Sequence, residues 1–326
     1  MSRTAGVTGA TGFVGRYVVR ELLANGWSVR ALARDASKAA RVLPGKGEGV
    51  EVVEGDAADP GVLGSLLEGC AAAIALVGII REAPGGQTFR RLHVESRRAI
   101  VEACLAKGVR RLVAISAVGA SRQGVSEYLR SKREGEEIVM RSGLDWTILR
   151  PGLIHGAEGE FVRLMKGWAT RAIPPHVFLP YFARGVDDSG VFLGPIRYEA
   201  PRVAPVSVRD VAEATVRVLD RRATHSEIYN LVGPDEMSFP EMLRAFRDGL
   251  PGGDPKLHPV GIPAEVAAAG ATAASLLGLG SLVPFDAGMA RMGAEDTSAS
   301  NDKAEAHFEF SPRPFREELA SYAGRV

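Results

Sequence analysis

Tyr128 and Lys132 stand four residues apart in Tyr128-Leu129-Arg130-Ser131-Lys132, a spacing that stacks a phenol and an ammonium on one face of a helix. Moving a hydride to or from a carbonyl requires a proton donor or acceptor beside the reacting oxygen, and a neighbouring cation lowers a phenol's pKa toward neutrality. The pair therefore suits acid–base work in an oxidoreductase. An ordinary surface helix also carries these two residue types at this spacing.

A second group of residues suits a pyrophosphate. In Gly9-Ala10-Thr11-Gly12-Phe13-Val14-Gly15 the glycines fall between a strand pattern and a helix pattern, where a phosphate reaches the backbone only if no Cβ intervenes. A tight turn without a ligand is the alternative, and the strand-turn-helix context favours the dinucleotide. An acidic residue on the ribose 2′-hydroxyl is expected at the end of the second strand. Ala33 holds that place here, followed by Arg34 and, four residues on, Lys38. Positive charge there favours a 2′-phosphate and hence NADP(H), while the nearby Asp35 keeps NAD open. Asp56 and Ala57 end the third strand at the same edge and offer an acceptor and a donor to an adenine, or simply a strand-ending turn. Val77 and Gly78, where the fourth strand ends, complete the predicted nucleotide set.

These residues need a parallel sheet to bring them to one edge. Val50–Val53, Ala73–Val77, Leu112–Ile115 and Thr147–Leu149 are short apolar runs alternating with helical patterns, which predicts an α/β, doubly wound Rossmann sheet. Val14, Val18 and Leu22, with Val19 and Leu23, line one face of a helix that stops near Asn25-Gly26. The predicted core covers residues 1–155. Residues 201–232, with a strand at Val203–Val206, a helix bearing Val211, Ala214, Val218 and Leu219, and a strand at Ile228–Val232, are expected to rejoin the sheet. Residues 156–200, punctuated by prolines, and 233–326 are predicted to form a smaller substrate lobe, in which Ser238 and Glu241 have capping-box spacing. Phe161, Trp168, Phe178, Tyr181 and Phe182 are its expected pocket-lining surface.

Composition narrows the partners. Forty basic against 39 acidic side chains leave a net charge of +1 in 326 residues, which gives no field for nucleic acid and favours a small-molecule substrate. Two cysteines, Cys70 and Cys104, fit a reducing, cytoplasmic setting, and the glycine motif begins so soon after Met1 that no targeting segment is expected. The six histidines show no metal-ligand spacing, so no metal is expected. Arg90-Arg91 and Arg97-Arg98 read as solvated charge, with phosphate contact as the alternative. Val266–Val283 lacks charge over 18 residues. Rich in Ala, Gly, Ser and Thr, it reads as a packed helix or as one facing a partner or membrane surface, more readily than as a spanning one.

Taken in order, Thr8 to Gly15, the Tyr128 to Lys132 pair, Arg150-Pro151-Gly152 and Pro205-Val206-Ser207-Val208-Arg209-Asp210-Val211-Ala212 resemble the extended and atypical short-chain dehydrogenases/reductases, the epimerase/dehydratase-like group. Gly78-Ile79-Ile80-Arg81-Glu82, Gln87-Thr88-Phe89 and His93-Val94-Glu95 resemble the branch containing the NADPH-binding accessory subunit of respiratory complex I. The resemblance implies that Tyr128 is the acid/base, that Lys132 holds the nicotinamide ribose, and that Pro151 and Gly152 border the nicotinamide. Ser116 then polarises the carbonyl. Active members carry consecutive hydroxyl residues after the fifth strand, whereas this chain reads Ser116-Ala117-Val118, which sets Ser116 one or two places out of register. Two functions stay open: an NADP-dependent oxidoreductase or epimerase on a small carbonyl or alcohol, and a non-catalytic NADPH-binding assembly or accessory subunit of a respiratory-type complex.

Overall fold

The computed structural model describes residues 3–187, 196–278 and 285–326. The chain divides into two compact units, one made of Met1–Pro151, Val208–Leu231 and Ser300–Ser311, the other of Gly152–Ser207, Val232–Ala299 and Pro312–Val326.

The first unit is built on β1 (Thr4–Thr8), β2 (Ser28–Ala33), β3 (Val50–Glu54), β4 (Ala72–Ala75), β5 (Arg111–Ile115) and β6 (Asp145–Pro151), with Glu227–Leu231 as a seventh strand. Its order is Glu227–Leu231, β6, β5, β4, β1, β2, β3, and every neighbouring pair is parallel. β4 and β5 are buried along their whole length, as strands covered by helices on both faces must be. The chain runs outward from β1 in one direction and from β4 in the other. The gap between those two strands' C-terminal ends is the crevice where open α/β sheets bind ligands.

Five helices lie between the strands: α1 (Phe13–Ala24), α2 (Ala36–Val42), α3 (Pro60–Leu67), α4 (Ser96–Lys107) and α5 (Glu127–Met140). α1 buries Gly15, Val18, Val19 and Leu22 and ends at Asn25 before Gly26, whose φ of 74° suits glycine best. α4 is entered through a π-helical turn, Arg90–Glu95, a wide turn that often marks a functional site. Buried Arg111 donates to the carbonyls of Asp145, Val218 and Leu219 and to the hydroxyls of Thr147 and Thr224. One guanidinium thus ties β5 to β6 and to the segment that leads into the seventh strand.

Of residues 201–232, the helix Val208–Arg217 and the strand Glu227–Leu231 belong to this unit, and the former packs on α1. The expected strand at Val203–Val206 is instead two separate pairs of residues. Arg202–Val203 pairs with Met237–Ser238, and Val206–Ser207 with Ile154–His155, both in the other unit.

In that second unit Leu179–Asp187 is flanked by Pro259–Pro263, parallel, and Ile196–Glu199, antiparallel. Ser238 caps the helix Phe239–Gly249 in a complete capping box with Glu241. Phe161, Trp168 and Tyr181 pack around a core of Val162, Met165, Phe246 and Leu319, and Phe182 meets Phe285 edge-on. Four of the five expected pocket aromatics thus contribute to packing within the lobe, because their helix and strand turn these positions toward the core. His155 is fully buried between Phe315 and Tyr322, with Nδ1 3.0 Å from the Tyr322 hydroxyl. The uncharged stretch forms the helix Ala264–Leu276, which buries Ala267, Ala268 and Ala271 and exposes Val266 and Leu276. Residues 279–283 of that stretch lie outside the described residues. Among the described residues no helix is long and apolar enough to cross a membrane.

Candidate functional site

The turn after β1 folds on its glycines. Gly9 has φ 75°, and a Cβ there would sit 2.9 Å from the Leu76 and Val77 backbone. A Cβ on Gly15 would stand 2.1 Å from the Gly9 carbonyl oxygen, so α1 approaches the turn as closely as it does only because position 15 is glycine. Gly12 caps α1 with no side-chain hydrogen bond, and the first turn carries no acidic residue. The N–H groups of Phe13, Val14 and Gly15, helix dipole included, are left for an anion.

On one side of this turn β2 ends at Ala33, and Arg34 and Lys38 follow, both exposed. Asp35 caps α2, its carboxylate accepting the Lys38 N–H at 2.9 Å. The Gly55 N–H donates to the Ala33 carbonyl, which brings Asp56 beside the end of β2. Asp56 accepts the Ala58 N–H on one oxygen and Arg91 Nη2 on the other, at 2.8 and 3.1 Å. On the other side the Leu76 N–H donates to Thr8, which sets Val77 and Gly78 against the turn.

α5 delivers Tyr128 and Lys132 to the same edge. Ser126 caps it by accepting the Leu129 N–H. Glu136, one turn beyond Lys132, receives two hydrogen bonds from Arg150 of β6, at 2.7 and 2.6 Å. Gly135 lets the helix run against the His93 carbonyl, which a Cβ would meet at 2.3 Å. Lys132 is buried with Nζ against Gly78, where a Cβ would stand 2.7 Å away. Burial and the Arg97 charge push its ammonium down to about 7, while Glu136 opposes them.

The expected lowering of the Tyr128 phenol is reversed. Burial pushes it up to about 12, because Lys132 Nζ lies over the ring, 5.5 Å from its centroid, and leaves desolvation as the dominant effect. Ser116 follows β5, its N–H bonded to the Leu149 carbonyl at 2.7 Å. Its Oγ is buried and finds no hydrogen-bond partner among the described residues. A small cavity lined by Ser116, His93, Arg97, Lys132 and Glu136 lies beneath it. Pro151 ends β6 and its carbonyl accepts the Val118 N–H. Gly152 begins the other unit, where a Cβ would meet the Thr297 carbonyl at 3.1 Å.

Two readings of charged and aromatic residues change. Arg97 is not solvated: it is 5% exposed and donates to the carbonyls of Ala75 and Ile115, pinning the ends of β4 and β5. His93, which spacing marks as unremarkable, stands at the centre. Its Nε2 accepts the Ile79 N–H at 3.1 Å, so Nδ1 is the donor to Ser131 Oγ at 2.9 Å, and Ser131 donates to the Tyr128 carbonyl at 2.9 Å. Burial, Lys132 and Arg97 push His93 down to about 2, which keeps the ring neutral and this chain oriented. The sequence signal that points to it is the Gly78-Ile79 step reaching a histidine in the next helix.

Comparison with known proteins finds an NAD(P)H-binding family. Residues 9–169 match a family described as NAD(P)H-binding. The chain is 31% identical over 233 residues to the (4-alkanoyl-5-oxo-2,5-dihydrofuran-3-yl)methyl phosphate reductase of Streptomyces griseus, covering 71% of this chain and 68% of that protein. It is 37% identical over 151 residues to the ceramide reductase of Caulobacter vibrioides, 46% of each chain. It is 28% identical over 247 residues to the mitochondrial NADH dehydrogenase [ubiquinone] 1 alpha subcomplex subunit 9 of Arabidopsis thaliana, 75% of this chain and 57% of the subunit. With the ceramide reductase and this subunit, then, the match spans less than two thirds of the relative's length. The crystal structure of gox2253 shares the fold over 100% of this chain and 98% of its own, at a TM-score of 0.74 and 23% identity.

Proposed function

Because the chain belongs to the NAD(P)H-binding family of reductase- and epimerase-like proteins, we propose that it is an NADP(H)-dependent oxidoreductase or epimerase acting on a small carbonyl or alcohol. The observation that carries this reading is the burial of Lys132 against Gly78, directly beside Tyr128, at the sheet edge that also holds the glycine turn. The residues fit the cofactor: a Cβ at Gly9 or Gly15 would fill the cradle, and α1 offers an N-terminus with no side-chain cap. Asp35 is committed to capping α2, which leaves Arg34 and Lys38 to receive a 2′-phosphate.

The bound dinucleotide would supply a hydride acceptor or donor. Tyr128 would deliver or accept the proton at its hydroxyl, and Lys132 would hold the nicotinamide ribose. An ammonium poised near 7 exchanges its proton close to neutrality. Ser116, its buried hydroxyl without a hydrogen-bond partner among the described residues, would donate to a substrate oxygen. Pro151 and Gly152 would border the nicotinamide. The test is NADPH consumption across a panel of quinones, aldehydes and ketones, with Tyr128→Phe alongside. Turnover should fall at least ~100-fold in the variant while NADPH binding persists; equal turnover refutes the assignment.

Three observations favour a second reading, an accessory or assembly subunit that keeps NADPH as a structural ligand. Ser116 is followed by Ala117 and Val118 in place of further hydroxyls, relatives include a complex I subunit, and Val266 and Leu276 expose an apolar edge of their helix. A large NADPH-dependent rise in Tm with no consumption on the panel decides for it.

A further inference from the structure

We propose that Arg97 is a positioning residue that makes the charge of Lys132 follow the oxidation state of the cofactor. The amine takes a proton from water beside an uncharged reduced nicotinamide and returns it beside the cationic oxidised ring. The proposal rests on the dinucleotide reading above, in which Lys132 would hold the nicotinamide ribose.

The charges around Lys132 do not balance. Arg97 on α4 and Lys132 on α5 line one small cavity, and Glu136 is the one carboxylate among the described residues that line it. That carboxylate is already taken: it accepts both prongs of Arg150, at 2.7 and 2.6 Å, and Arg133 Nη1 at 3.3 Å. Its side chain is 2% exposed, so water screens these charges little. Arg97 spends its hydrogen bonds on the Ala75 and Ile115 carbonyls, at 2.8 and 3.2 Å, which carry no charge to offset its own. Three guanidinia thus stand around one carboxylate before Lys132 adds a further positive charge. An arginine keeps its proton, whereas a buried lysine can shed one, so the excess is relieved at Lys132. Its ammonium is accordingly pushed down to about 7.

The other groups that face Lys132 are silent near neutrality. His93, from the π-helical turn, is pushed down to about 2, and Tyr128, whose ring lies beneath Nζ, is pushed up to about 12. Both are therefore neutral there. Ser116, at the end of β5, does not ionise, and Gly78 presents only backbone. A positive charge on the ring opposes the ammonium, and an uncharged ring does not. By linkage, the preference for the reduced cofactor is greatest at the pH where Lys132 is charged and falls as the pH rises.

The test measures the full-length protein's affinity for NADPH and for NADP⁺ by calorimetry, from about pH 6 to about pH 9, in the wild type, Arg97→Gln and Lys132→Arg. Both forms carry the same 2′-phosphate, whose own titration near pH ~6 cancels in the ratio of affinities. In the wild type the preference for NADPH should fall about tenfold as the pH rises through neutrality, which corresponds to a repulsion of roughly 1.4 kcal/mol between the two cations. Arg97→Gln keeps donors for the two carbonyls and removes the charge, so the fall should move up by about one pH unit or more. Lys132→Arg should hold the preference level across the range, because its cation does not titrate. A level preference in the wild type, or a fall that stays in place in Arg97→Gln, overturns the proposal. So does a fall that persists in Lys132→Arg, a result that stands even where Arg97→Gln fails to fold. If the wild type binds neither form, the dinucleotide reading itself falls, and this proposal with it.

Discussion

Arg150 and Glu136 meet as a two-pronged ion pair, at 2.7 and 2.6 Å, with the Glu136 side chain only 2% exposed. The pair clamps the helix bearing Tyr128 and Lys132 to the end of β6. Removing Arg150 leaves the buried Glu136 with Arg133, at 3.3 Å, as its partner, whereas the double variant removes the buried carboxylate as well. Arg150→Met should cost roughly 3 kcal/mol in urea unfolding, and the double variant with Glu136→Met markedly less. Additive losses would show that the clamp is not an energetic unit.

Gly15→Ala and Gly12→Ala should separate packing from ligand contact. The first places a Cβ 2.1 Å from the Gly9 carbonyl, the second only 3.2 Å. Gly15→Ala should lower stability by about 1–3 kcal/mol and abolish NADPH binding, since α1 must shift. Gly12→Ala should leave the unfolding midpoint nearly unchanged while weakening binding. Equal thermal shifts in the two variants would contradict the geometry.

Cofactor preference follows from Arg34 and Lys38. Replacing both with Ala should reduce the ratio of NADPH to NADH affinity by at least ~10-fold, most of it in the NADPH arm. A ratio that holds would move the 2′-phosphate elsewhere.

Buried titratable groups set the pH dependence of stability. His155 is pushed down to about 4 and His93 to about 2 by burial, from 6.5 when unfolded. Between those values the unfolded chain binds more protons, so stability must fall as pH drops from 6.5 toward 4, with His93 continuing below. Lys132, pushed from 10.5 to about 7, acts over a different window: the unfolded chain again holds the extra proton, so stability rises with pH between 7 and 10.5. Urea midpoints of Lys132→Met against wild type should diverge across that upper window, and those of His155→Asn across the lower one. Parallel curves would mean these groups are solvated.

What was readable in advance was local. The glycine turn, the end of α1 and the Ser238 capping box depend on residues within one turn of each other, so spacing reports them. Arg97 reads as solvated charge and nothing in the spacing singles out His93, because their partners, Ile79, Ser131, Ala75 and Ile115, lie 14 to 38 positions away. His93 lies in a π-helical turn, Arg90–Glu95, which no period of 3.6 anticipates. The phenol of Tyr128 departs from expectation for another reason: charge type is visible in a sequence, but whether a cation meets the hydroxyl or the ring is not.

The seventh strand, Glu227–Leu231, has a consequence for biogenesis. β6 is complete at Pro151, yet its outer partner is encoded far downstream, and the helix Asp302–Phe308 that packs beside that partner comes later still. A nascent chain emerging from the ribosome therefore carries an open parallel edge on β6 until synthesis has passed Leu231. A fragment ending near residue 155 would keep every residue of the glycine turn and the Tyr128–Lys132 pair but display that bare edge permanently. Such a truncation should aggregate rather than act as a minimal nucleotide-binding module.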